Sequence, residues 1–250
     1  MKEQFKGLCA AWIFLTRIPL PKMDLSEANF AQAPAFYPLV GLLVGGIGAG
    51  GYAVGHLIEG PAIGALLALG ATLLATGAFH EDGLADLFDG LGAYTKERML
   101  EVMRDSRLGT FGAVALFVVL GLKVASLSSL PMIVVLAALP LAHGLSRMSA
   151  VVVIATSRYS RLEGTAKPVA KGISRSALAV GSLTSIAALA AFGVWVSAEL
   201  ALGSLVGLVV GHVFTRLLFE RRLGGYTGDC LGAVQQMSEL GVYIAIVAWL

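Results

Sequence analysis

The chain has 250 residues, of which 57% are hydrophobic and only 14% charged, with a net charge of +2 and a mean hydropathy of +0.81. A soluble domain is nearer about 25% charged and about 45–50% apolar, so this composition excludes an ordinary water-soluble fold and points to a chain housed in a bilayer. Two cysteines without CxxC spacing argue against a disulfide framework or a zinc site, and the small net charge gives no sign of a nucleic-acid partner.

At the N-terminus, Phe5, Leu8, Cys9, Trp12 and Thr16 recur with helical period next to Lys2 and Lys6. The pattern predicts a helix lying on the membrane surface; the alternative is the first turn of a spanning helix. No cleavable signal peptide is read here, because residues 1–18 lack a small-residue cleavage site and Arg17, Pro19 and Pro21 interrupt the segment. Spans are then predicted at 36–56, 61–79, 111–129, 131–156, 177–197 and 200–219, each near the ~20 apolar residues a bilayer requires. A seventh, 235–250, is marginal because its purely apolar part begins at Leu240. Gly60-Pro61, Leu130-Pro131 and the stretch 197–200 mark tight turns. The expected fold is all-α: a polytopic membrane helix bundle of six to seven transmembrane helices plus an N-terminal interfacial helix, residues 1–250 forming one integral-membrane domain.

All of the 18 basic residues except Lys123 and Arg147 fall before the first span, in alternate loops or, for Arg216, at the end of the sixth span that leads into one of those loops. By the positive-inside rule the N-terminus and the segments 80–110, 157–176 and 220–234 face the cytoplasm.

The second span reads as running without a linker into His80-Glu81-Asp82-Gly83-Leu84-Ala85-Asp86-Leu87-Phe88-Asp89-Gly90. On a helix, Asp82, Asp86 and Asp89 stack on one face, and no Lys or Arg lies within four residues of them. Such a face calls for an external cation, and oxygen donors completed by water and substrate phosphate suit Mg²⁺. Glu81 and Asp229 are further candidate metal ligands, and His80, beside the cluster, is a candidate general base. The bland alternative is a solvated acidic helix end. Arg104 and Arg107, one turn apart, are candidate phosphate ligands; their alternative is topology charge paired with Glu101 or Asp105. Tyr226, Thr227 and Gly228, in a glycine-rich stretch where backbone N–H groups can approach a phosphate, are candidate substrate contacts, and a turn capping the seventh span is the equal alternative. Within the spans, His143 with Arg147 and His212 with Arg216 suggest a cationic wall above the acidic helix, whereas Lys123 is expected to snorkel outward and His56 to have no role.

Taken together, these segments resemble the cobalamin synthase family, the adenosylcobinamide-GDP ribazoletransferases. The resemblance runs through Phe14-Leu15-Thr16-Arg17-Ile18-Pro19 and Phe36-Tyr37-Pro38-Leu39-Val40-Gly41, and is strongest from His80 to Asp86 and over Asp89-Gly90-Leu91-Gly92. It continues through Met103-Arg104-Asp105-Ser106-Arg107-Leu108-Gly109, then Tyr159, Arg161 and Glu163-Gly164-Thr165, and ends at Gly225-Tyr226-Thr227-Gly228-Asp229-Cys230. Met148 departs from the Trp that usually follows the intramembrane Arg of the family. The resemblance implies a multi-pass inner-membrane enzyme that requires Mg²⁺. An oxygen of α-ribazole, or of α-ribazole 5′-phosphate, would attack the cobinamide-side phosphorus of adenosylcobinamide-GDP, releasing GMP and forming adenosylcobalamin or its phosphate. In that setting Asp82 and Asp86 are catalytic with His80, the metal lies on Glu81, Asp82, Asp86, Asp89 and Asp229, and Arg104, Arg107 and Arg147 hold the leaving nucleotide; a homo-oligomer is compatible with it. Two other enzyme classes fit less well. The Asp-Gly-x₂-Ala-Arg pattern of CDP-alcohol phosphatidyltransferases is broken by Asp86, and the Asp-Asp-x₂-Asp signature of prenyltransferases is absent. A transporter is disfavoured because the spans are read as free of central Pro and the charges cluster at one membrane face.

Overall fold

The computed structural model describes residues 2–160 and 172–250. Arg161, Lys167, Lys171 and the Glu163-Gly164-Thr165 motif lie outside the described residues. The elements in chain order are α1 Lys2–Leu15, α2 Glu27–Gln32 followed by a 3-10 turn Ala33–Phe36, α3 Tyr37–Glu59, α4 Pro61–Thr76, α5 Phe79–Leu91, α6 Lys96–Val102, α7 Thr110–Ser129, α8 Met132–Thr156, α9 Arg175–Trp195, α10 Ala198–Leu223 and α11 Gly228–Trp249. Six of them, α3 and α7 to α11, are long and apolar enough to cross a membrane, and the bent pair α4–α5 would make seven. The chain is an all-α polytopic membrane bundle.

At 14 residues, α1 rises only about 21 Å, too short to span. It buries Ala10, Ala11 and Leu15 against the bundle and leaves Phe5 and Ile13 outward. The bundle core runs between α3, α8, α10 and α11, and small residues set its spacing. Gly41 and Gly45 of α3 lie against the backbone of His143 and Leu139 in α8, and Gly207 of α10 lies against Gly241 of α11. A Cβ at Gly207 would run into the carbonyl of Gly241, which has no rotamer by which to yield. Gly207→Val is therefore expected to lower the melting temperature of the detergent-solubilised protein, by an overpacking cost of about 1–3 kcal/mol or more. Gly46→Val, where nothing lies within 4 Å, serves as the control and should be near neutral.

Four sequence expectations need correction. The second span does not run on into the acidic segment. Gly77 (φ 69°) and Ala78 (φ 55°) are both left-handed, the amides of both return to the Leu73 carbonyl, and the chain turns by 91° into α5. A glycine just past a helix end is a stop signal of known mechanism, and the Arg17 side chain packs where a Cβ at Gly77 would sit. The marginal seventh span is a full helix of 22 residues starting at Gly228. Its Gln235, Gln236, Ser238 and Glu239 are buried against other helices instead of facing lipid, so a hydropathy count undervalues the segment. Pro140 does lie inside a span, within α8. Lys123 does not snorkel: it is buried and ion-paired to Glu239 at 2.7 Å.

Candidate active site

Helix α5 is amphipathic. It buries His80, Glu81, Gly83, Leu84, Ala85, Leu87 and Gly90, exposes Asp82, and leaves Asp86 and Asp89 half-buried. The three aspartates thus share the outer face, as their spacing predicts. Their surroundings differ. The Asp89 carboxylate accepts hydrogen bonds from the Gly109 and Gly112 amides, both at 2.8 Å. It caps the first turn of α7, where amides lack intrahelical partners and negative charge is favoured. Cβ atoms at Gly109 or Gly112 would collide with that carboxylate, which accounts for the two glycines.

Asp82 and Asp86 flank Gly83. A Cβ at Gly83 would lie 2.7 Å from the Asp229 carbonyl, and one at Gly232 would lie 2.9 Å from the His80 carbonyl. The two glycines let α5 cross the start of α11 closely, which brings the backbone of Asp229 against the turn carrying Asp82 and Asp86. Among the described residues no group of three His, Cys, Asp or Glu side chains is gathered tightly enough to form a metal cage by itself. The donors at this crossing are hard carboxylate oxygens, the class that holds Mg²⁺ through one or two ligands while water and phosphate complete the shell.

At the C-terminal end of α5, Asp89, Arg98, Glu101, Asp105, Arg107 and Gly109 surround a cavity of about 400 Å³. Arg107 reaches it, but its fork is closed on Asp105, with Nε–Oδ1 at 2.9 Å and Nη2–Oδ2 at 2.5 Å. Those hydrogen bonds hold the Asp105 carboxyl down to about 2, so a phosphate reaching Arg107 competes with an ionised carboxylate throughout the neutral range. Arg98 pairs with Glu101 at 2.7 Å. Arg104 is exposed.

Arg147 lies elsewhere. It is 1% exposed, the largest fully buried side chain among the described residues. Its Nη1 donates to the His143 carbonyl at 2.9 Å and meets His143 Nδ1 at 3.2 Å. Beside it runs a polar network that the sequence reading missed. Lys123 Nζ contacts Glu239 Oε1 at 2.7 Å and Gln236 Oε1 at 2.6 Å. Gln235 Nε2 donates to Glu239 Oε2 at 2.6 Å and to Ser146 Oγ at 2.9 Å. Gln236 Nε2 reaches Glu81 Oε1 at 2.8 Å. The available signal was Gln235, Gln236 and Glu239 grouped at helical spacing in an otherwise apolar segment, since ionisable residues at membrane depth mark functional or paired sites.

His80, Arg147, Gln235 and Gly228 line a cavity of about 30 Å³ at the start of α11. His80 and Asp89 are nine residues apart on α5, about 13.5 Å at helical rise, so the cavity of Arg147 and that of Arg107 lie toward opposite ends of α5. The other intramembrane pair is separate again: His212 meets Ser149 at 3.1 Å and Arg216 pairs with Glu220 at 3.1 Å. Tyr226 forms a short parallel bridge with Tyr159, exchanging backbone hydrogen bonds with Arg158 and Ser160 at 2.8 Å. Burial and the neighbouring Tyr159 push its phenol up to about 12. Thr227 caps α11, its hydroxyl accepting from the Cys230 amide; the capping role weighed against phosphate contact is present in the structure.

A multi-pass helical bundle that carries carboxylates at a helix crossing and buries Lys123 and Arg147 among its spans has the layout of a polytopic membrane enzyme. The comparisons name the family. A model described as cobalamin-5-phosphate synthase matches residues 7–247, and the chain belongs to that family. It is 40% identical to an adenosylcobinamide-GDP ribazoletransferase of Ralstonia pickettii (strain 12J), covering 100% of this chain and 98% of the relative. It is 39% identical to a protein of that name from Vibrio cholerae (100% and 96% covered) and 41% identical to one from Shewanella pealeana (98% and 96% covered). No solved structure matches the chain.

Proposed function

We propose that this protein transfers the adenosylcobinamide phosphate moiety of adenosylcobinamide-GDP to α-ribazole or α-ribazole 5′-phosphate, releasing GMP, at the cytoplasmic face of the inner membrane and with Mg²⁺ bound at the α5–α11 crossing. The observation that carries this reading is the likeness of the whole chain to relatives of that name, together with an acidic crossing suited to a hard cation. The basic residues in the connections on the α5 side support this orientation.

Asp82, Asp86 and Asp229 would hold the metal, with Glu81 behind them and Asp89 committed to α7. When bound, Mg²⁺ neutralises the charge developing on the diphosphate oxygens. The chain itself positions the reactants. Gly83 and Gly232 set the distance between α5 and α11. The Arg98 and Arg107 side of the larger cavity offers guanidinium forks for the leaving nucleotide once Asp105 yields. A ribose hydroxyl of the acceptor attacks the cobinamide-side phosphorus, the bond from that phosphorus to the GMP oxygen breaks, and the hydroxyl proton passes to His80, the imidazole next to the acidic cluster. Purified protein supplied with adenosylcobinamide-GDP, α-ribazole and Mg²⁺ is expected to release one GMP per corrinoid consumed. The reading fails if GMP does not appear, or appears equally without α-ribazole.

A further inference from the structure

The small cavity beside His80 is lined by two residues that each carry a buried donor without a hydrogen-bond partner. Arg147 Nε is buried and has no hydrogen-bond partner, and neither has the hydroxyl of Tyr37. Arg147 is 1% and Tyr37 3% exposed, and both line the same cavity of about 30 Å³. Glu239 and Glu81 act on Arg147 electrostatically, yet among the described residues no carboxylate forms an ion pair with it. Lys123 is the cation that Glu239 contacts directly, at 2.7 Å. A guanidinium buried in a membrane bundle without a direct counter-ion is costly unless something supplies the charge. The cavity also receives Gly228, the first residue of the 22-residue α11, and a helix start favours negative charge. Its volume admits about one or two water-sized groups and no whole phosphate.

We propose that Tyr37 and Arg147 form a buried subsite for a single anionic oxygen, a non-bridging phosphoryl oxygen of the phosphate-bearing substrate, at the start of α11. This deepens the phosphoryl-transfer reading and rests on it for the substrate class. It gives Tyr37 a recognition role, and it separates two anion sites: one oxygen fixed here near His80, and the nucleotide end of the diphosphate near Arg107, at the other end of α5. Phe14, which stacks on Tyr37, and Phe79, which meets Phe14 edge-on, line the same cavity and form the apolar wall that keeps water from competing with the donors.

The test measures binding of inorganic pyrophosphate to the full-length protein in detergent, without divalent metal, so that it does not depend on turnover. Tyr37→Phe removes only an unpartnered hydroxyl, so its melting temperature should equal or exceed that of the wild type. Its affinity for pyrophosphate should fall about tenfold, the loss of one hydrogen bond to a charged oxygen. Arg147→Lys, which keeps the charge but not the fork, should weaken binding at least as much; if that variant does not fold, Tyr37→Phe decides alone. Unchanged pyrophosphate affinity in Tyr37→Phe overturns the subsite. Weakened binding in the variants of a protein that releases no GMP from adenosylcobinamide-GDP would leave the subsite standing and remove the transfer reading. Normal GMP release with unaffected variants would do the reverse.

Discussion

Asp82→Ala and Asp86→Ala should each lower turnover by about three orders of magnitude or more, the several kcal/mol that a metal-binding carboxylate supplies to a phosphoryl-transfer transition state. Both variants should remain folded. Asp82 is exposed at the α5–α11 crossing, so its loss leaves no buried group without a partner and stability should move by only about 0.5 kcal/mol. Asp89→Ala should behave differently. It strips two hydrogen bonds from the amides of Gly109 and Gly112, so it should destabilise the start of α7 by about 1–3 kcal/mol. Its activity per folded molecule should fall less than that of the other two. Specific activity across a Mg²⁺ titration, read beside the melting temperature, separates these outcomes. A folded Asp82→Ala protein with near-normal Mg²⁺-dependent turnover would remove the metal site from α5.

The contrast between Asp82 and Asp89 shows how far a sequence can be read. Spacing alone puts Asp82, Asp86 and Asp89 on one face, because helical period is a local property. It cannot tell that α7, twenty residues later, begins on Asp89 and claims both of its oxygens. The span count was legible from apolar runs and from the turns at Gly60-Pro61 and Leu130-Pro131. The break at Gly77 was signalled by the glycine itself but masked by the apolar residues on either side of it. The most enclosed helices, α8 and α11, were the hardest to read, since burial lets a bundle keep polar side chains that lipid would reject. For that reason Glu239, Gln235 and Gln236 stayed outside the candidate site, and Lys123 was assigned to the membrane surface. The partners of Lys123 lie more than a hundred residues away in sequence, and only the packing of α7 on α11 brings them together. Arg147 was legible as an ionisable residue within a span, but its full burial was not. Its separation from Arg107 depends on the 91° turn that lays α5 across the bundle.

Breaking the Lys123–Glu239 pair from one side should be among the most destabilising changes available in this chain. Both side chains are 3% exposed and meet at 2.7 Å, and Lys123 also holds Gln236 at 2.6 Å. Lys123→Met leaves a buried carboxylate facing His143 at 3.4 Å and Gln235 at 2.6 Å without its cation, a loss of about 3–5 kcal/mol. Glu239→Met leaves a buried ammonium and should cost a similar amount. The double variant removes both charges together, and a well-packed apolar pair can replace a buried ion pair at little cost. It should therefore be more stable than either single variant, with a coupling energy of about 2 kcal/mol or more in a double-mutant cycle. Chemical unfolding in detergent measures the cycle; additive single-variant effects would show that the pair does not join α7 to α11. Activity should not recover with stability. Gln236, oriented by Lys123, donates to Glu81 at 2.8 Å, and Glu81 sits between His80 and Asp82 in the first turn of α5. A double variant that folds well but turns over slowly would show that this buried pair holds the acidic helix in register, beyond fastening two spans together.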